Sequence, residues 1–279
     1  MTRRTLTQTL AAGVATHLAA RAEDDSAAKL VPPPGYRVVE MAGLRHFMPD
    51  KPEQIAMLIY PGMTALDLIG PQQAFGYMMG AKVNLIWKSL DAVLTDTGVK
   101  LLPSATLHDI HDPDILFVPG GGKGTVDLMS DAEVLDFLAL QGKTARWITS
   151  VCSGSLVLGA AGLLRGYRAT SHWAVREVLP NLGAQLGTGR IVEDRNRITA
   201  GGVTAGIDFG LYLAGKLRGP DYGRALELML EYDPHPPFHS GTPADAPMNI
   251  RDAATAMYAP LLKSAQASAS TARARWAKA

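Results

Sequence analysis

The chain has 279 residues, 27 Lys and Arg against 26 Asp and Glu, and 47% apolar residues, a composition that excludes disordered and collagen-like classes. A net charge of +1 offers no general electrostatic attraction to nucleic acid or to a membrane surface. The single cysteine, Cys152, excludes an intramolecular disulfide and any zinc site built on two or more cysteines. No run of ~18 apolar residues marks a membrane span.

The first 22 residues read as a leader. Arg3-Arg4 is a twin-arginine pair, an acid-free and mildly apolar run follows from Leu10 to Ala20, and Ala20-Arg21-Ala22 offers a small-x-small cleavage pattern. This predicts a Tat-type signal and a periplasmic destination. An ordinary basic start and a cytoplasmic protein are the alternative. Cleavage after Ala22 removes Arg3, Arg4 and Arg21 and leaves a net charge of −2. Residues 23–52 form a Pro-rich arm or linker, since Pro32-Pro33-Pro34 continues neither a helix nor a central strand, with a short strand expected over Tyr36–Glu40.

Residues 53–232 alternate strand and helix. Strands are predicted at Ile55–Tyr60, Val83–Trp87, Asp114–Val118 and Trp147–Val151. A hairpin is predicted within Val93–Leu102, turning at Thr97-Gly98, and another within Arg190–Thr199. Helices are predicted after the Gly70-Pro71 break, over Ala132–Leu140 with Ser130 as cap, and over Ser153–Leu164, Ala205–Lys216 and Tyr222–Glu231. The alternation predicts an α/β fold, a mostly parallel sheet with helices on both faces. Residues 233–279 are expected to be irregular to Pro247 and helical over Ala253–Trp276.

Cys152 follows a predicted strand and opens a predicted helix, the placement of a nucleophile elbow. The helix N-terminus there is expected to lower the thiol pKa. A buried, inert cysteine is the competing reading. Pro119-Gly120-Gly121-Gly122 after another strand is a candidate anion hole or a plain turn. Asp67, flanked by Leu66 and Leu68, reads as a desolvated acid able to hold a proton or as a helix N-cap. His172 reads as a site histidine or a structural one. The sequence has no H-E-x-x-H, P-loop or G-x-G-x-x-G pattern to support a metal or nucleotide.

Taken together, Tyr60-Pro61-Gly62, Leu66-Asp67-Leu68-Ile69-Gly70-Pro71, Phe117-Val118-Pro119-Gly120-Gly121, Cys152-Ser153-Gly154-Ser155, Ala169-Thr170-Ser171-His172-Trp173 and Thr199–Asp208 resemble the DJ-1/PfpI superfamily, most of all its isonitrile hydratase (cyclohexyl-isocyanide hydratase) branch. The resemblance covers roughly Gln54–Glu231. It implies a flavodoxin-like sandwich, a homodimer and no cofactor. It also implies Cys152 as nucleophile, Asp67 as its acidic partner, Ser153 in place of the branch's usual Thr, Gly121 and Gly122 beside the nucleophile, and His172 nearby. Ser153, rather than His, follows the cysteine, unlike the protease-like and glyoxalase-like branches. About 40 residues after Pro236 are too few for the helix-turn-helix domain of the family's regulators. The implied reaction is hydration of an isonitrile to an N-substituted formamide through a Cys152 thioimidate, with Asp67 delivering the proton and Asp67 with Ser153 placing water. A thiol redox sensor and a non-catalytic small-molecule binder are the alternatives.

Overall fold

A computed structural model describes residues 31–276. The candidate leader, residues 1–22, lies outside the described residues.

The first element is a hairpin, β1 (Tyr36–Met41) and β2 (Leu44–Pro49), paired in full antiparallel register. Ala42 and Gly43, both at positive φ, make the two-residue turn whose twist suits a hairpin. The sequence expectation held only its first strand. The hairpin lies against the domain: Phe47 and His46 are buried, and the His46 and Tyr222 rings are 5.2 Å apart.

The remaining strands are β3 (Glu53–Leu58), β4 (Ala81–Trp87), β5 (Val93–Leu94), β6 (Lys100–Leu101), β7 (Ala105–Thr106), β8 (Ile115–Val118), β9 (Trp147–Val151), β10 (Arg168–Ala169), β11 (Gln185–Leu186), β12 (Ile191–Asp194) and β13 (Arg197–Ala200). Seven of them form one sheet in the order β12-β13-β9-β8-β3-β4-β7, parallel except for the β12–β13 hairpin. The β5–β6 hairpin turns at Gly98, as its sequence predicts. The helices are α1 (Ala65–Gly76), α2 (Lys123–Leu128), α3 (Ala132–Gln141), α4 (Gly154–Ala160), α5 (Ala205–Arg218), α6 (Pro220–Met229) and α7 (Met248–Trp276). They pack in two groups, α1 with α5 and α6, and α4 with α2, α3 and α7. The fold is therefore the expected α/β sandwich.

Strands β3, β8 and β9 are buried on both faces; β8 and Ile55–Leu58 of β3 are continuous apolar runs, and β9 buries Thr149 and Ser150 among its apolar residues. Phe117 of β8 stacks on Phe209 of α5 at 5.8 Å and meets Phe75 of α1 edge-on at 6.3 Å, which fixes α1 and α5 over the sheet.

Several boundaries differ from expectation for local reasons. Helix α1 runs through Gly70-Pro71 instead of starting after it. Its neighbour α5 presents Gly206 and Gly210 there, and a Cβ at Gly210 would sit 3.0 Å from Pro71 Cα, so close helix packing carries α1 past the proline. Asp131, not Ser130, caps α3 by accepting from the Val134 amide at 3.2 Å. Helix α4 stops at Ala160, four residues early, because Gly162 turns left-handed and the Leu163 amide reaches back to the Leu158 carbonyl. After α4 only Arg168–Ala169 is strand. The Thr170 amide donates instead to Thr199 Oγ1 at 2.8 Å. Residues 233–247 carry no helix or strand, and α7 begins at Met248, with the Ile250 and Arg251 amides donating to the Pro247 carbonyl.

Candidate active site

Strand order reverses at β3: the chain next adds β4 on one side, then β8 and β9 on the other. At such a switch point the loops leaving neighbouring strands part and open a crevice at their carboxyl ends. Three loops converge there. The loop after β3 leads to Asp67, the loop after β8 holds Pro119–Gly122, and the turn after β9 is Cys152 itself.

Cys152 has φ +57°, left-handed backbone that a non-glycine residue adopts at a cost. Three groups hold it there. Its amide donates to the Gly201 carbonyl at 2.8 Å and to that of Ala200 at 3.1 Å, and its carbonyl accepts from Ser171 Oγ at 2.9 Å. A Cβ on Gly154 would lie 2.2 Å from the Val118 carbonyl oxygen, so only glycine lets the elbow press against the end of β8.

Asp67 is the third residue of α1 and is fully buried; Thr64, not Asp67, occupies the N-cap position. Its Oδ2 accepts from the Gly120 amide at 3.0 Å. Burial pushes its carboxyl up to about 7, against the opposing pull of a hydrogen bond with the Cys152 thiol and of the Gly120 amide. Asp96 adds a smaller upward push. No Arg or Lys is among the groups acting on it. A Cβ on Gly120 would collide with the Ser153 amide nitrogen, Asp67 Oδ2 and Cys152 Cβ, each within 2.7 Å.

The thiol differs from expectation. Burial raises its pKa first and the Asp67 charge raises it further, while hydrogen bonds from the Val203 and Ser153 amides lower it. The amides do not win, because the sulfur is buried beside a carboxylate, so the resting group is a thiol. Cys152 and Asp67 thus form a coupled pair that shares one proton above about pH 7.

Ser153, expected to help place water, has its hydroxyl fully engaged. It accepts from the Gly121 amide at 2.9 Å, donates to the Gly121 carbonyl at 2.7 Å and meets Thr125 Oγ1 at 3.0 Å. Thr125 also contacts the Tyr60 hydroxyl at 2.9 Å, and that hydroxyl donates to the Pro119 carbonyl at 2.9 Å. This chain clamps the glycine turn to the elbow. It also commits the Gly121 amide, leaving Gly122 as the turn glycine that faces open space.

A cavity of 160 Å³ opens over Cys152. Gly121, Gly122, Ser153 and His172 line it, so the structure brings these expected residues around the cysteine, with Asp67 beneath. His172 Nδ1 accepts from the Ala174 amide at 3.3 Å, which leaves the proton of the neutral ring on Nε2. Burial lowers its pKa, so the ring is neutral. Sequence reasoning missed Thr125, Val203, Asp96 and Tyr258. Val203 works through its backbone, at φ +24°, and carries no side-chain signal. Tyr258 arrives from a helix more than 100 residues downstream of the elbow. Among the described residues no group of three or more His, Cys, Asp or Glu is placed to hold a metal ion, and no helix is long and apolar enough to cross a membrane.

Comparison with known proteins agrees with this geometry. The chain is 48% identical over 210 residues to an isonitrile hydratase of Pseudomonas putida, an alignment spanning 75% of this chain and 92% of that one. It is 28% identical to the HTH-type transcriptional regulator GbdR of Pseudomonas aeruginosa, over 65% of this chain but 51% of the regulator. Its fold superposes on the crystal structure of a ThiJ/PfpI family protein from Pseudomonas syringae with TM-score 0.77 and 52% identity, covering 78% and 90% of the two chains. The DJ-1/PfpI family model matches residues 53–216, which contain the switch point, the glycine turn and the elbow, and the chain belongs to that family.

Proposed function

We propose that this protein hydrates isonitriles to N-substituted formamides without a cofactor. The observation that carries the reading is the buried Cys152–Asp67 pair: a thiol whose neighbour is a carboxyl balanced near pH 7, facing a small cavity. The 48% identity to an isonitrile hydratase supports it.

The isonitrile carbon is both nucleophilic and electrophilic, so it needs a proton and a nucleophile delivered together. Cys152 Sγ bonds to that carbon as the thiol proton passes through Asp67 to the same carbon, giving the thioimidate Cys152–S–CH=N–R. Asp67, ionised again, accepts a proton from water as the water oxygen adds to the carbon, and passes that proton to nitrogen. The C–S bond then breaks, the hydroxyl proton returns to sulfur, and R–NH–CHO leaves. Gly122, which lines the cavity, and the Val203 amide, which donates to the thiol, are the groups that would meet charge developing at the reacting atoms. Ser153 holds the glycine turn, and Asp67 alone handles water.

The redox-sensor alternative gains less from the geometry. Peroxide attacks thiolate, and burial beside Asp67 withholds thiolate. The test is formamide production from cyclohexyl isocyanide by the full chain. Wild type turns over, and Cys152→Ala loses at least about 10³-fold while keeping its circular dichroism. Equal turnover by Cys152→Ala removes the mechanism.

Arg3-Arg4 and Ala20-Arg21-Ala22 support export by the Tat route, tested by N-terminal sequencing of protein from periplasmic and cytoplasmic fractions. Family likeness supports a homodimer, tested by sedimentation equilibrium.

A further inference from the structure

Helix α7 lies outside the matched family region, which ends at residue 216, yet it reaches the cavity over Cys152. Its distal half is fixed to the domain. Ala265, Ala269 and Ala272 are buried, the Trp276 indole donates to the Ala160 carbonyl at 2.9 Å, and Arg275 pairs with Asp136. The proximal half then carries Tyr258 and Leu261 into the lining of the same cavity that holds the nucleophile.

Tyr258 is braced by rings. Its centroid lies 5.2 Å from that of His172 and 5.6 Å from that of Trp173, the latter edge-on. His172 is braced in turn, since its Nδ1 is bonded to Ala174 and its Cδ2 occupies the space a Cβ on Gly202 would need, 2.4 Å away. The phenol ring is therefore held over the cavity. Around it the lining is aliphatic, Val175, Val203 and Leu261, and its carboxylate is Asp96; no Lys or Arg is among the lining residues.

We infer that Tyr258 and Leu261 of α7 form the specificity wall of this site, setting the size of an uncharged, apolar substituent on the substrate nitrogen. The inference rests on the isonitrile reading for the substrate class, but the wall itself is a property of access to Cys152. Trimming a ring from such a wall shifts discrimination between large and small groups by at least about tenfold.

The full chain is assayed with isopropyl and adamantyl isocyanide. Tyr258→Ala raises the adamantyl-to-isopropyl ratio of kcat/KM about tenfold or more, mainly through KM, and Tyr258→Phe leaves the ratio at the wild-type value. In parallel, the rates of Cys152 alkylation by iodoacetamide and by N-pyrenylmaleimide are compared at one pH. Tyr258→Ala speeds the bulky reagent relative to the small one, and Tyr258→Phe does not. Leu261→Phe, which narrows the cavity, moves both ratios the other way and serves if Tyr258→Ala does not fold. A wild type that hydrates no isonitrile but shows these alkylation shifts overturns the activity reading and keeps the wall. Alkylation ratios that stay unchanged in both the widening and the narrowing variant overturn the wall.

Discussion

Strand β3 carries a buried acid at its start and leads to another nine residues past its end, in α1, and the two have opposite surroundings. Glu53 meets the buried Arg218 guanidinium at 2.6 Å, with Arg146 at 3.8 Å and the Tyr36 hydroxyl also on its carboxylate. Burial pushes its carboxyl up, and Arg218 and then Arg146 pull it back. Asp67 is pushed up by the same desolvation, but its counterweights are a thiol and one amide. The difference teaches how one strand separates stability from chemistry. An acid paired with a guanidinium has a fixed ionic partner that opposes its protonation, whereas an acid paired with a thiol has a proton to exchange.

Of the two acids, Asp67 is tested first, by removing that proton. Asp67→Asn should lower kcat/KM at least about 10²-fold in the formamide assay, while the variant stays folded. Next is Glu53→Gln, which leaves Arg218 buried without its anion. It should cost about 3–5 kcal/mol in urea unfolding, with activity per folded molecule unchanged. Glu53→Gln combined with Arg218→Met should recover much of that loss. If Glu53→Gln instead abolished turnover in the folded fraction, the separation of roles would fail.

The pH dependence sharpens the same comparison. Below about pH 7 both Asp67 and Cys152 are protonated and no base is present to take the thiol proton. Rates should therefore rise as pH increases through about 7, with the macroscopic value belonging to the pair. Stability should move the other way. A carboxyl raised from 3.8 to about 7 on folding binds its proton more tightly in the folded chain. Its contribution is full below pH 3.8 and is lost as pH climbs through about 7. Asp67→Asn should flatten this slope in urea titrations between those limits, and an unchanged slope would assign it to another group. The smallest effect is Tyr36→Phe, which removes one hydroxyl from the Glu53 cluster and should cost about 1 kcal/mol.

Much of the fold was legible because its signals are local. The apolar runs of β3 and β8 and the turn residues of both predicted hairpins sit where the chain needs them. The elbow was legible for the same reason: Cys152 follows a strand and precedes a helix within a few residues. What escaped was set by partners remote in sequence. Pro71 sits inside α1 because Gly210 comes close, 139 residues later. The β1–β2 hairpin belongs to the domain because Phe47 and His46 find cover and Tyr36 finds Glu53. The rise in the thiol pKa was missed because helix position was visible and burial was not. Val203 and Tyr258 were missed because one acts through an amide and the other through a distant helix.

The positive φ of Cys152 has a consequence for how sequences at this position would drift. Folding alone favours glycine there, since a Cβ in left-handed backbone costs about 1–2 kcal/mol. Both Cys152→Gly and Cys152→Ala give up the buried thiol, but only glycine also sheds the backbone strain, so Cys152→Gly should melt above Cys152→Ala. The cysteine therefore occupies a place whose backbone suits glycine, and it keeps that place at the cost of a strained Cβ.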